Sequence, residues 1–317
     1  MSRNSLDPGL HSFTAAEKQL TFEYVVHRPS TADGADSLRN LIVVQCPGWG
    51  LGSQYLQVGL ADLWQPSPEI NEADSVTRFT VLFFHPRGTD GSSRPRSANE
   101  MRSMPDLASD LEDLRQHLQL EKYPILLGHS NGGAIALGYA EMYPSRVNRL
   151  VLLNHQVVGI QDRQMARIEA TDSNPVYRGA WEALLKHRTD TDDEFTASIR
   201  GMWPLYFYDP ERYTDELLDA IGDRKLSVWC YQSQGRCDCK LESPMQMVER
   251  MGHVQAKTLI IFGYDDMICG MGIARRTMAD IPIAQIVAYQ QCGHFPWIEQ
   301  KRNTIRDIRL FIDGELD

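Results

Sequence analysis

Six short apolar runs, rich in β-branched and aromatic residues, recur along the chain: Leu41–Val44, Phe79–Phe84, Pro124–Leu127, Leu150–Leu153, Thr258–Phe262 and Gln285–Tyr289. A strand with one wet face alternates apolar and polar residues. A nearly continuous apolar strand must be covered on both faces, as in a parallel sheet clothed by helices. Helical patterns fill the intervals. Ser103 and Pro105 mark one start, and Leu107, Leu111, Leu114 and Leu118 then share a face. Residues 131–142 read as another helix, closed before Pro144. Near the end, Ile298, Ile305, Ile308 and Phe311 make a stripe that stops at Gly314. This alternation predicts an α/β fold with a doubly wound, mostly parallel sheet.

One interval breaks the rhythm. About a hundred residues between Leu153 and Thr258 carry no strong strand run. They read as helices at Gln161–Ala170, Arg178–His187, Asp192–Met202 and Glu211–Ile221, with another near Met245–Met251. The expected organisation is therefore a loose tail over 1–12, a sheet domain over 13–154 and 257–317, and an inserted helical cap over 155–256.

The chain of 317 residues has a formal net charge of −10, which argues against a nucleic-acid partner or an anionic membrane surface. No apolar run suits a signal peptide or a membrane span, so a cytoplasmic protein acting on a small-molecule substrate is expected. The oligomeric state is not readable. The six cysteines have no disulfide-scaffold density. Cys237-x-Cys239 is too tightly spaced for a zinc pair and has no second pair, so neither metal nor cofactor is expected.

The chemistry centres on Gly128-His129-Ser130-Asn131-Gly132, which lies between an apolar strand and a helix. That context is what a nucleophile elbow requires: a tight turn with small residues flanking the serine. A serine hydroxyl is a weak nucleophile and needs a base, which in turn needs an orienting acid. His294, in Cys292-Gly293-His294-Phe295-Pro296-Trp297, follows the last strand run and precedes the last helix, where catalytic groups gather in open α/β sheets. The acid should follow the preceding strand, where Asp265 and Asp266 both qualify, while Asn154 after the earlier strand is neutral. Adjacent side chains in extended chain point opposite ways, so one of the two serves the imidazole.

With these residues, the chain resembles the α/β-hydrolase superfamily, and within it the prolyl-aminopeptidase and epoxide-hydrolase-like branch with a helical cap. The resemblance covers all but the tail and is weakest in the cap. It implies an acid third after a strand-end glycine, which selects Asp266 (after Gly263) over Asp265. It also implies an oxyanion hole built from the backbone N–H groups of Trp49, in Pro47-Gly48-Trp49-Gly50, and Asn131. Pro47 replaces the family's usual histidine there. The turn His85–Ser92 resembles a structural motif of the family, with His85 and Asp90 as departures. An aspartate-nucleophile mechanism is excluded by the serine at the elbow.

The interval 155–256 is rich in aromatics, and Trp203, Tyr206 and Phe207 are the expected substrate contacts. Prolyl aminopeptidases use cap carboxylates to hold a free amino terminus; Glu182, Glu194, Glu211 and Glu216 are available but sit in no matching motif. The expected activity is hydrolysis of a small ester or lactone through an acyl-enzyme. The alternatives are amide hydrolysis of the prolyl-aminopeptidase kind, a lyase or carbon–carbon cleavage, and a ligand receptor with little turnover.

Overall fold

The computed structural model describes residues 5–29, 38–65, 78–160, 162, 174–187 and 189–316. Each apolar run, apart from Phe79, lies in a strand of one eight-stranded sheet. The strands are β1 (Gly9–Ala15), β2 (Leu20–His27), β3 (Leu41–Gln45), β4 (Thr80–Phe84), β5 (Tyr123–His129), β6 (Val147–Leu153), β7 (Lys257–Gly263) and β8 (Ala284–Tyr289). Their spatial order is β1-β2-β4-β3-β5-β6-β7-β8. Pairing is parallel from β4 to β8 and antiparallel at β1–β2 and β2–β4.

The continuous apolar runs are explained by burial on both faces. Val43, Leu126, Leu150 and Ile260 face one layer of helices, while their neighbours Val44, Leu127, Val151 and Ile261 face the other. The first layer includes α2 (Ala108–His117), α3 (Ser130–Met142) and α9 (Gly270–Asp280). The second includes α1 (Gln54–Gly59) and the closing pair α10 (Pro296–Glu299) and α11 (Lys301–Asp313). Each fully buried aliphatic side chain contributes roughly 1.5–3 kcal/mol of burial. Ser103 accepts the Asp106 N–H at the turn that leads into α2, and Gly314 ends α11 in the left-handed conformation, both as the sequence indicates.

Between β6 and β7 come α4 (Pro175–Leu185), α5 (Asp192–Met202), α6 (Pro210–Ile221), α7 (Val228–Asp238) and α8 (Gln246–Arg250). The expected helix Gln161–Ala170 lies outside the described residues, save Asp162. Helix α7 was not anticipated, because it has no apolar stripe: Ser233 and Gln234 are among its buried residues.

The expected tail over 1–12 is corrected. Gly9–Ala15 forms β1, in register with β2 from Gly9↔Val26 to Ala15↔Leu20. Only Phe13 and Ala15 of that strand are buried, so its own hydrophobicity is faint. The partner strand holds it by backbone pairing, and β2 alternates buried and half-buried positions, as an antiparallel strand with one solvated face does.

The chain runs from β3 outward to β4, then returns to place β5 on the other side of β3. The order thus reverses at the adjacent strands β3 and β5. In open α/β sheets, ligands bind beyond the carboxyl ends of the strands at such a point. The loop Pro47–Gly50 and the turn at Ser130 both emerge there.

Candidate active site

At the end of β5 the chain turns directly into α3, and Ser130 takes φ 51°. A serine in this left-handed region carries strain of order 1–3 kcal/mol, which persists only where the surroundings over-determine it. The glycines show how that is done. A Cβ on Gly128 would lie 2.5 Å from the Gly132 carbonyl oxygen, and one on Gly132 would strike the Gln45 carbonyl. Strand end, turn and helix therefore pack with no room for side chains, which presents Ser130 at the cavity.

His129 anchors the turn from below. Its Nε2 lies 3.1 Å from the His294 carbonyl and its Nδ1 lies 2.9 Å from the Tyr55 hydroxyl. A carbonyl only accepts, so Nε2 carries the proton and Nδ1 accepts from Tyr55. Burial, with the nearby His294, holds the His129 pKa well below the ordinary histidine value, so this ring stays neutral.

The structure brings Asp266 and His294 together, with Asp266 Oδ2 2.9 Å from His294 Nδ1. The same oxygen accepts the Asn154 side-chain amide at 2.6 Å. Asp266 Oδ1 accepts the N–H groups of Ile268 (2.8 Å) and Cys269 (3.1 Å). Burial opposes ionisation of this carboxyl. His294, the Asn154 amide and the Cys269 N–H outweigh it and lower the pKa below the ordinary aspartate value. An ionised Asp266 accepts only, so His294 carries a proton on Nδ1, and Nε2 is the nitrogen left to face the cavity. No Ser130–His294 hydrogen bond forms among the described residues; such bonds often tighten only when substrate binds.

Asp265 points elsewhere, its carboxylate 3.3 Å from the Cys292 N–H. Gly263 allows the loops that carry Asp266 and His294 to touch, since a Cβ there would strike the Cys292 and Gly293 carbonyls. On the other side, the His294 N–H donates to the Tyr206 carbonyl at 2.6 Å. Glu299 accepts the N–H groups of Gly293 (2.5 Å), Tyr208 (2.8 Å) and Asp209 (3.1 Å). Burial raises its carboxyl to about 7 against the lowering effect of these three donors.

Trp49, with φ 65°, follows Gly48, whose N–H donates to Asn131 Oδ1 at 3.0 Å. The Trp49 N–H has no hydrogen-bond partner among the described residues. The Asn131 N–H is one of the first four of α3, which find no partner within a helix. Ser130, Asn131, Trp49 and His294 line one cavity of about 220 Å³. Trp203 and Tyr206 line it as well. Phe207 does not: it is fully buried beside Phe295 and Tyr213, and is corrected from substrate contact to core residue.

Sequence reasoning set Asn154 aside as neutral, yet it donates to the Asp266 carboxylate, and its place directly after β6 was the available signal. It missed Gln234, whose side-chain partners lie far away in sequence, and Glu299, which accepts backbone N–H groups from the His294 loop and from Tyr208 and Asp209. The turn His85–Ser92 is a structural hub, where buried Arg87 pairs with Asp110 and Ser92 bonds the His85 carbonyl at 2.9 Å. All six cysteines are free thiols. Among the described residues, the group able to offer three metal ligands within 4.8 Å of one another is Asp266, Cys269 and His294. There His294 Nδ1 is already engaged by Asp266.

A family model described as alpha/beta hydrolase fold matches residues 42–301. The chain belongs to the alpha/beta-hydrolase fold family. A 2-hydroxy-6-oxononadienedioate/2-hydroxy-6-oxononatrienedioate hydrolase of Cupriavidus pinatubonensis (strain JMP 134 / LMG 1197) is 27% identical over 205 residues, covering 64% of this chain and 66% of that enzyme. A protein of Leptolyngbya boryana named "Probable proline iminopeptidase" is 21% identical over 251 residues, covering 72% of this chain and 76% of that protein. Among solved structures, an esterase from Rhodococcus sp. ECU1013 superposes with a TM-score of 0.68 at 16% identity, covering 98% of this chain and 100% of that one. This alpha/beta-hydrolase is an enzyme of the hydrolase class. Among the described residues of the family member, no helix is long and apolar enough to cross a membrane.

Proposed function

We propose that the chain is a serine esterase or lactonase that acts on a small, uncharged acyl substrate through an acyl-enzyme. One observation carries this reading: Ser130 on a strained turn shares a cavity with His294, whose Nδ1 is fixed by a buried Asp266. His294 Nε2 takes the Ser130 proton as Oγ bonds to the carbonyl carbon. The Trp49 and Asn131 N–H groups receive the oxyanion; losing one such donor in a known protease costs roughly 3–4 kcal/mol. The tetrahedral intermediate collapses, and His294 hands its proton to the leaving oxygen. Water, deprotonated by the same nitrogen, then attacks the ester on Ser130, and His294 returns that proton to Ser130 Oγ as the free acid leaves.

The cavity wall supports a neutral substrate. Among the described residues that line it there is no Lys, Arg, Asp or Glu. A dienedioate, in the name of the Cupriavidus relative, is a dicarboxylate and would call for a buried cation. A free peptide amino terminus would call for a carboxylate, and Glu182, Glu194, Glu211 and Glu216 are all exposed. In this reading the helices of 155–256 act as a cap that supplies Trp203 and Tyr206 to the acyl side of the cavity.

Fluorophosphonate labelling tests the nucleophile. Intact protein should label and Ser130→Ala should not. Label that survives in the variant refutes the assignment. Labelling without turnover across a panel of p-nitrophenyl esters and acyl lactones refutes the esterase reading and leaves a receptor or a different bond cleavage.

A further inference from the structure

Gln234 lies on α7, far in sequence from the elbow and from the Pro47–Gly50 loop. Its side chain nevertheless meets both. Gln234 Oε1 accepts the Trp49 indole N–H at 2.6 Å and the Asn131 side-chain amide at 2.9 Å. Asn131 Oδ1 in turn accepts the Gly48 N–H at 3.0 Å. The bonds close a ring from Gly48 through Asn131 and Gln234 to Trp49, which is the residue after Gly48. Gln234 is 1% exposed, and its Nε2 has no partner among the described residues. A buried amide that leaves its own donor unmatched is costly, and a bare packing role would not select it.

We propose that Gln234 is a positioning residue for the oxyanion hole. This rests on the reading above, in which the Trp49 and Asn131 backbone N–H groups receive the oxyanion. Those donors sit on separate loops, at the ends of β3 and β5. Stabilising a developing charge requires both to converge on one point, and a misplacement near 1 Å costs on the order of 10²-fold in rate. One carbonyl oxygen with two lone pairs grips a side chain from each loop and sets their separation. Gln234 does not line the cavity, so it acts through Trp49 and Asn131. Because it comes from the inserted helices, it also makes the geometry of the hole depend on how that insertion docks. Tyr231, one turn earlier on α7, packs edge-on against the Trp49 ring with centroids 5.2 Å apart.

The test compares Gln234→Met, similar in length but lacking the acceptor, with Ser233→Ala, which removes a buried hydroxyl from the same turn. Indole N–H resonances of ¹⁵N-tryptophan-labelled protein report the brace directly, with Trp49→Phe identifying the Trp49 signal. Gln234→Met should move that signal upfield and lower kcat on p-nitrophenyl butyrate on the order of 10²-fold, with KM within about threefold. Affinity for a trifluoromethyl ketone, which forms the oxyanion adduct, should fall in parallel. Ser233→Ala should match the native protein in all three. An unmoved indole signal refutes the brace. A moved signal with native kcat, or a loss that appears in KM alone, refutes the positioning role. A native protein inert to every ester, yet with a moved signal in Gln234→Met, refutes the esterase reading and upholds the brace.

Discussion

Replacing Asp266 by Asn is the sharpest probe of the site, because the structure decides which way the new amide must lie. Asp266 Oδ1 receives two backbone N–H groups, from Ile268 and Cys269, which cannot turn away. The Asn oxygen must stay there, which places the NH₂ where Oδ2 was. It then faces His294 Nδ1 across 2.9 Å and the Asn154 amide nitrogen across 2.6 Å. His294 can only accept from it, so its proton moves to Nε2 and the lone pair that would activate Ser130 is lost. Asn154 relieves the second conflict by rotating its amide, since its Oδ1 is buried without a partner. It gives up its 3.2 Å bond to the Gly293 carbonyl, a net loss of about 1 kcal/mol. The structural cost is thus small and the chemical cost large. The equivalent exchange in a serine protease lowers kcat about 10⁴-fold, close to 5.5 kcal/mol at 1.36 kcal/mol per decade. The assay is kcat/KM on p-nitrophenyl butyrate at pH 8, alongside thermal melting and Asp265→Asn. Asp265→Asn should stay within about threefold of the native rate. An Asp266→Asn enzyme that melts normally and keeps more than about a tenth of the activity refutes the tautomer argument.

Gly132→Ala drives a Cβ into the backbone carbonyl of Gln45, so it should destabilise the protein by about 1–3 kcal/mol and abolish activity; an unchanged melting temperature with full activity would overturn the close-packed elbow. The Glu299 carboxyl stands at about 7 against 4.5 unperturbed, so its contribution to stability is full below pH 4.5 and is lost as pH rises through 7, by about 3 kcal/mol. The melting advantage of the native protein over Glu299→Gln should therefore shrink between pH 5 and 7.5, and a pH-independent difference would contradict it. Trp203→Ala opens the cavity wall beside Tyr206 and Phe295, so kcat/KM for octanoyl relative to butanoyl p-nitrophenyl esters should rise; an unchanged chain-length profile would mean that Trp203 does not bound the acyl group.

How much of this was legible in the sequence depends on the range of the interaction. The parallel strands could be read because burial on both faces writes itself into consecutive residues, as in Leu41–Val44 and Leu150–Leu153. The elbow could be read because tight packing demands glycine at Gly128 and Gly132, whatever lies further off. Strand β1 could not, because its stability comes from a partner rather than from its own residues. Helix α7 could not, because it buries polar groups in place of an apolar stripe.

The same division runs through the site. Ser130, His294 and the pair Asp265 and Asp266 follow from chain order and strand ends, which local pattern encodes. That Asp266 and not Asp265 reaches the imidazole is decided by which side chain the turn after β7 directs inward, a matter of angstroms. Asn154, Gln234 and Glu299 acquire their roles from groups more than 80 residues away, or from backbone N–H groups that every residue carries. Hydrogen bonds to such groups leave no periodic trace along a chain. The sequence by itself determined the sheet, the turn at Ser130 and the alpha/beta-hydrolase fold. Only the tertiary structure shows which carboxylate reaches the His294 imidazole, that Phe207 belongs to the core, and that no Lys, Arg, Asp or Glu is among the described residues of the cavity wall, because each depends on side chains converging from separate elements.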